Sequence, residues 1–392
     1  MISAVASLAL VLVLLNSGFW NRGKPKPSPT PTDAVGLVAR AEALFNAGRA
    51  SEALEDLDAA MQLDPNSALV YGTRGVMRLG LGDLRSALAD FDQAIRLDPS
   101  CAQTYSSRGA THGVLGNHET AMADLNRAID LDPDCGDAYS NRGSVFVTLN
   151  EYDKAVADCT RAIGINPNKA EAYCLRGRAY VALGEHEKGL ADMDEAVRAE
   201  PAYAGAYHER GRAVLYLGQP HRAMADLSKA IALGPPTEEM HVDRGIAHAA
   251  LGRHDKALAD FTRAISVNPS CAKAYARRAH SQANLGSYRR AIADSTKALR
   301  IDPTMAEAYL VRGTAYVSTN ELDKGLADLT ECIRLEPDHA AAYFVRAGLY
   351  SRQRRYADAI AEMESFLRLS RSVDEQGRER LRELIQEWRG QT

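Results

Sequence analysis

From residue 34 to residue 373 one order of apolar and polar positions returns every 34 residues. Across these units apolar or small side chains predominate at positions 4, 8 and 11 and again at 20, 24, 27 and 28, and each set falls on one face of a helix. Position 15 is Gly or Asn in nine units (Gly48, Gly82, Gly116, Asn150, Gly184, Gly218, Gly252, Gly286, Asn320), residue types that tolerate the left-handed conformation that closes a helix. Position 32 is proline in nine units, Pro65, Pro99, Pro133, Pro167, Pro201, Pro235, Pro269, Pro303 and Pro337, most often preceded by Asp or Asn. Proline disfavours the α conformation in the residue before it, so the second helix stops there. The pattern therefore predicts ten helical hairpins and an all-α chain. A lone hairpin cannot bury its apolar face, so the units must stack, and the two or three domains that 392 residues would suggest give way to one array.

Particular residues sharpen the pattern. Position 4 is Tyr71, Tyr105, Tyr139, Tyr173, Tyr207, Tyr275, Tyr309 and Tyr343, broken by Leu37 and His241. Position 8 is Gly or Ala throughout, and position 20 is Ala except for Gly189 and Gly325, so two helices can approach closely there. This signature resembles the tetratricopeptide repeat across residues 34–373. The resemblance implies a right-handed superhelical solenoid of helix-turn-helix hairpins, with a concave face, lined by the first helices, that holds a peptide or a partner protein.

One feature departs from the commonest form of that family. Position 7 is Arg in all ten units (Arg40, Arg74, Arg108, Arg142, Arg176, Arg210, Arg244, Arg278, Arg312, Arg346). Position 23 is acidic in all ten (Asp56, Asp90, Asp124, Asp158, Asp192, Asp226, Asp260, Asp294, Asp328, Glu362). The guanidinium fork matches a carboxylate, so the expectation is a structural ladder between first and second helices, with Arg74–Asp90, Arg108–Asp124, Arg142–Asp158, Arg176–Asp192 and Arg210–Asp226 among its rungs. The rival is a row of arginines gripping an acidic ligand. Sequence leaves open whether the pairs form within a unit or between units.

By family analogy, positions 2, 5, 6, 9, 12 and 13 of the first helices make the concave face, and here they vary from unit to unit. Chaperone-binding relatives clamp a terminal carboxylate with Lys and Asn at set positions; Lys273 and Arg277 match one part, but Asp243, His208 and Arg212 stand where other clamp residues are needed. Asn141 alone stands for the asparagine ladder of the sugar-transferring relatives. What remains is a looser cationic patch, Arg178, His208, Arg212, Lys273, Arg277 and His280, whose natural ligand is an acidic peptide. Ordinary surface charge is its rival. Between the sixth and seventh units, Gly234-Pro235-Pro236-Thr237 and His241 weaken the pattern, which suggests a local change of pitch with His241 packed inside, or a pH-sensitive hinge.

The chain bears no HExxH, P-loop, GxSxG or Cys–His set at zinc spacing, so neither an enzyme nor a cofactor or metal is expected. Six cysteines with no CxxC pair read as reduced or buried thiols. A formal net charge of −4 argues against nucleic acid, which needs clustered Lys and Arg.

The ends differ from the array. Residues 1–20 are apolar and uncharged from Ile2 to Trp20, a length that as a helix spans roughly 28 Å, close to the hydrocarbon core. They are expected to be a single-pass anchor, with Arg22, Lys24 and Lys26 placing the repeats in the cytoplasm. The alternative is a signal peptide and a periplasmic or secreted protein. Residues 21–33 carry alternating prolines and read as an extended spacer. Residues 374–392 are expected to form a closing helix, opened by a capping box at Ser372-Val373-Asp374-Glu375 and apolar along Leu381, Leu384, Ile385 and Trp388. The function expected is thus a membrane-anchored scaffold that binds a protein or peptide; a non-catalytic regulatory subunit is the other class.

Overall fold

The structure is a computed structural model that describes residues 33–370 and 373–391. The anchor expected at 1–20, the spacer at 21–32 and Ser372 lie outside the described residues. Among the described residues no helix is long and apolar enough to cross a membrane.

Every regular element described is an α-helix. The first helices of the units are α1 (Ala34–Asn46), α3 (Ala68–Gly80), α5 (Ala102–Val114), α7 (Gly136–Thr148), α9 (Ala170–Ala182), α11 (Ala204–Tyr216), α13 (Glu238–Ala250), α15 (Ala272–Asn284), α17 (Ala306–Ser318) and α19 (Ala340–Arg352). The second helices are α2 (Ala50–Leu63), α4 (Leu84–Leu97), α6 (His118–Leu131), α8 (Tyr152–Ile165), α10 (His186–Ala199), α12 (Pro220–Leu233), α14 (His254–Val267), α16 (Tyr288–Ile301), α18 (Leu322–Leu335) and α20 (Tyr356–Leu369), and α21 (Glu375–Arg389) follows. The chain divides into two bodies, one of residues up to 217 with 232–234, the other of 218–231 with 235–392.

Each turn between paired helices closes through a left-handed residue. Gly82 has φ +81°, Asn150 φ +60° and Asn320 φ +65°. The tenth unit has neither Gly nor Asn there, and Arg354 itself takes φ +58°. At the other end of the hairpin, the Asp or Asn before the proline does more than precede a break. Its side chain accepts from the backbone two residues on, as in Ser100 N to Asp98 Oδ1 at 2.9 Å and Thr304 N to Asp302 Oδ1 at 2.9 Å, which shapes the turn into the next helix.

Close approach at position 8 is what the small residues permit. In the first body a Cβ on Gly75 would stand 2.7 Å from the Phe91 ring, one on Gly143 2.7 Å from Cys159 Sγ, and one on Gly177 2.8 Å from the Gly189 carbonyl oxygen. In the second body a Cβ on Gly245 would stand 2.5 Å from the Phe261 ring. Phe91 and Phe261 are wholly buried in those places. Position 11 departs from the expected apolar face: Arg78, His112, His248 and Gln282 occupy it in four units, and Arg78 and Gln282 turn to the acid at position 23 of their own unit.

Of the last unit's apolar side chains, Ala347, Ala359 and Met363 are covered by α21 through Ile385 and Trp388, with Leu381 and Leu384 beside them. The N-cap of α21 is Asp374, whose side chain accepts from Gly377 N at 2.8 Å. The capping box expected to open at Ser372 starts on a residue outside the described ones; the helix caps on Asp374 and begins at Glu375, two residues later than a Ser372 cap would start it.

Candidate binding surface

Arginine at position 7 and acid at position 23 meet inside one hairpin. In the first body Arg74 holds Asp90 through Nε (3.0 Å) and Nη2 (2.7 Å), Arg108 holds Asp124 (2.8 and 2.7 Å), Arg142 holds Asp158 (2.7 and 2.8 Å) and Arg176 holds Asp192 (2.7 and 2.7 Å). In the second body Arg244, Arg278 and Arg312 hold Asp260, Asp294 and Asp328 in the same two-pronged way. Arg210 and Asp226 fall in different bodies; within its own body Arg210 bonds Asp194 at 2.8 Å. The hydrogen bonds that Arg142 donates to Asp158 raise the Arg142 pKa, against the lowering effect of burial. Tyr at position 4 lies under the same guanidinium, at 5.6 Å from Arg142 to the Tyr139 ring, a cation–π contact that repeats in eight units.

The third nitrogen carries what the sequence reading missed. Nη1 crosses to position 25 of the preceding unit: Arg74 to Asp58 at 2.7 Å, Arg108 to Asp92 at 2.7 Å, Arg142 to Asn126 at 2.7 Å and Arg176 to Thr160 at 3.0 Å. Arg278, Arg312 and Arg346 reach Thr262, Thr296 and Thr330 likewise. A signal was present, since position 25 bears a side-chain oxygen in every unit: Asp58, Asp92, Asn126, Thr160, Asp194, Ser228, Thr262, Thr296, Thr330 and Glu364. Arg74, Arg108, Arg142, Arg176, Arg278, Arg312 and Arg346 thus each tie their own hairpin together and also to the hairpin before it. After the tenth unit, Arg389 of α21 donates to Glu364 at 2.9 Å, the part a next arginine would play.

The ladder leaves the expected cationic patch in a different state. On the first body Arg178 and Arg212 both face Glu209, Arg178 at 3.7 Å, and His208 is buried in α11. On the second, Lys273 stands 3.8 Å from Asp243, Arg277 2.7 Å from Glu307, and His280 is exposed on α15. These cations are set against carboxylates, so within each body they form no run of bare positive charge.

The same face of the first body carries polar groups of another kind. Asn141 Nδ2 donates to Ser106 Oγ at 3.0 Å, both residues being buried. Gln103 Nε2 donates to Asp137 Oδ2 at 3.0 Å, Lys169 pairs with Asp137, and Glu171 lies 4.0 Å from the same ammonium. Thr73 Oγ1, Ser140 Oγ and Glu171 Oε1 are buried with no hydrogen-bond partner. Burial pushes the Glu171 carboxyl up to about 7, with Lys169 opposing and Asp137 and Glu200 adding to the rise.

His241, which replaces the tyrosine of its unit, is buried with Nδ1 3.6 Å from Asp260 Oδ1, and His248 Nε2 stands 3.9 Å from Oδ2 of the same carboxylate. Burial would raise the Asp260 pKa, but the nearby His241 and the hydrogen bonds and charge of Arg244 hold it at about 2. The cysteines are all free, and burial drives the Cys135 and Cys332 thiols up to about 11 and about 12, the opposite of what a nucleophile needs. Among the described residues no cluster of His, Cys, Asp and Glu could hold a metal.

One family model described as tetratricopeptide repeat matches residues 73–133, 242–306 and 310–373, and two more of the same description match 136–169 and 170–203, together well over half the chain. The chain belongs to the tetratricopeptide repeat family. Solved structures agree with this tetratricopeptide fold. A tetratricopeptide repeat protein from Parabacteroides merdae is 21% identical, with a TM-score of 0.50, and the match covers 64% of this chain and 98% of that one. The Cut9–Hcn1 hetero-tetramer of the APC/C is 14% identical, with a TM-score of 0.59, and the match covers 97% of this chain and 86% of that one. No curated protein matches this tetratricopeptide chain in sequence. The family's fold is a protein-binding scaffold.

Proposed function

We propose that the chain holds a peptide or a segment of a partner protein on the face made by positions 2, 5, 6, 9, 12 and 13 of its first helices, and that residues 2–20 attach it to a membrane. One observation carries the first part. The arginine ladder is the same in unit after unit, whereas the residues beside it on the first helices differ and leave buried polar atoms, Thr73 Oγ1, Ser140 Oγ and Glu171 Oε1, without protein partners. Buried polar groups are nearly always satisfied, so unpaired ones here mark a face not optimised for packing alone, and a partner that brings donors and acceptors beside them suits it. Because Arg178, Arg212, Lys273 and Arg277 each face a carboxylate, the partner need not be acidic, and mixed charge suits both bodies better. The membrane part rests on the uncharged run from Ile2 to Trp20.

A photo-crosslinking residue in place of Ser144 or Thr314, on the first helices, should give discrete crosslinked species in cells. The same residue in place of the exposed Arg127 or Arg263, on second helices, should give none. Crosslinks confined to Arg127 and Arg263 would overturn the assignment of the face. The full chain should stay with membranes through an alkaline carbonate wash and a chain lacking residues 1–20 should not; release of both would remove the anchor.

A further inference from the structure

Glu171 is a buried carboxyl in a place where a carboxylate is badly provided for. It sits in the first turn of α9, only 6% exposed, and Oε1 has no hydrogen-bond partner. The nearest cation, Lys169, is the N-cap residue of the same helix, and its ammonium is already given to Asp137 of α7, leaving Glu171 Oε2 4.0 Å away. Asp137 is the more open of the two carboxylates, its side chain 22% exposed against 7% for Glu171. Other titratable groups that bear on this spot are Cys135 just before α7, Cys159 from α8, Cys174 from α9 itself, and Glu200 and Tyr203 from the segment joining α10 to α11. None of these adds a positive charge. One lysine therefore stands between two carboxylates and can neutralise only one of them.

We propose that Asp137, Lys169 and Glu171 form a subsite for a basic side chain of a bound peptide, whose ammonium or guanidinium group lands on Asp137 while Lys169 crosses to Glu171. This rests on the peptide-binding reading above and specifies its chemistry. Charge balances: one cation arrives and one proton leaves Glu171 for solvent, so the cluster stays neutral before and after. An uncompensated second carboxylate in this buried place would be costly, which is why the incoming group must be cationic. The proton on Glu171 is held up to about 7 mainly by burial, so release falls in the neutral range and binding tightens as pH rises through it.

The test uses the full chain and two probes. The first is n-butylammonium chloride, with tetramethylammonium chloride at equal ionic strength as a cation that donates no hydrogen bond. The Glu171 carboxyl is followed by carbon-13 NMR and assigned by its loss in Glu171→Gln. Butylammonium should lower the Glu171 midpoint by about one unit, a tenfold change in proton affinity, and tetramethylammonium should not. Asp137→Asn, which removes the landing point, should abolish the shift. The second probe is an array of end-blocked random dodecapeptides, on which the wild type should favour Lys and Arg more strongly at alkaline than at acid pH, a preference lost in Asp137→Asn. A Glu171 midpoint that ignores butylammonium, or that moves equally with both salts, overturns the subsite. A butylammonium shift without any retained peptide leaves the subsite standing and overturns peptide binding instead.

Discussion

Arg142 stands with Nε 2.7 Å from Asp158 Oδ2 and Nη2 2.8 Å from Oδ1, two parallel bonds across one hairpin, while its Nη1 crosses 2.7 Å to Asn126 of the hairpin before. One side chain thus fixes both the angle between two paired helices and the register of one pair on the next. Repetition of this arrangement makes the arginines part of the scaffold, and the proposed recognition falls to the residues beside them.

The tenth unit shows what the geometry of the fork requires. Its acid is Glu362, and only one prong forms, Arg346 Nη2 to Oε1 at 2.7 Å; Arg346 Nε and Glu362 Oε2 are both buried without partners. Shortening the acid, Glu362→Asp, restores the length used in the other nine units. It should raise stability by about 1 kcal/mol, read as a later denaturation midpoint at unchanged slope.

Small residues at position 8 are required by contact, not by conformation. Gly177→Ala places a methyl group 2.8 Å from a backbone oxygen that cannot turn aside, and should destabilise by about 1–3 kcal/mol. Gly164→Ala, on an exposed stretch of α8 with nothing within 4 Å, should instead stabilise by about half a kcal/mol. Denaturation curves of the two variants read against wild type check both signs.

Glu171 makes stability fall as pH rises. Its folded pKa of about 7 lies above the ordinary 4.5, so between those values the folded state holds the extra proton, and stability is full below the lower value and lost up to the higher one. The loss amounts to about 3 kcal/mol at most. Glu171→Gln carries no ionisable group and should remove that dependence, so its stability relative to wild type should be greater at about pH 8 than at about pH 5. A difference that does not change with pH would mean that Glu171 ionises freely in the folded protein.

Much of this fold could be read from the chain because one small unit recurs. A helix face at 4, 8 and 11 or a turn at 15 is weak evidence once, but its return in most of ten aligned units makes it strong, and Asp98 or Gly82 stands where its counterparts stand. The Arg and acid were also visible as a pair of types. Their third partner was not, because position 25 alternates among Asp, Asn, Thr, Ser and Glu, which share an oxygen but not a size or charge. The proposed binding face resisted for the opposite reason. Its residues do not repeat, so Arg178, Arg212, Lys273 and Arg277 looked like a positive patch until the structure set Glu209, Asp243 and Glu307 against them. Glu171 drew no notice in the sequence, since nothing in its neighbours along the chain shows that it is buried.

The central claim is that the arginines belong to the scaffold and not to a ligand. A double-mutant cycle on Arg142 and Asp158, measured by chemical denaturation, tests it most directly. Arg142→Ala and Asp158→Ala should each cost about 3 kcal/mol, because each strands a partly buried charge, and the double variant should cost at least about 1 kcal/mol less than their sum. Strictly additive losses, or losses near zero, would show that the two side chains do not depend on each other and would contradict the account.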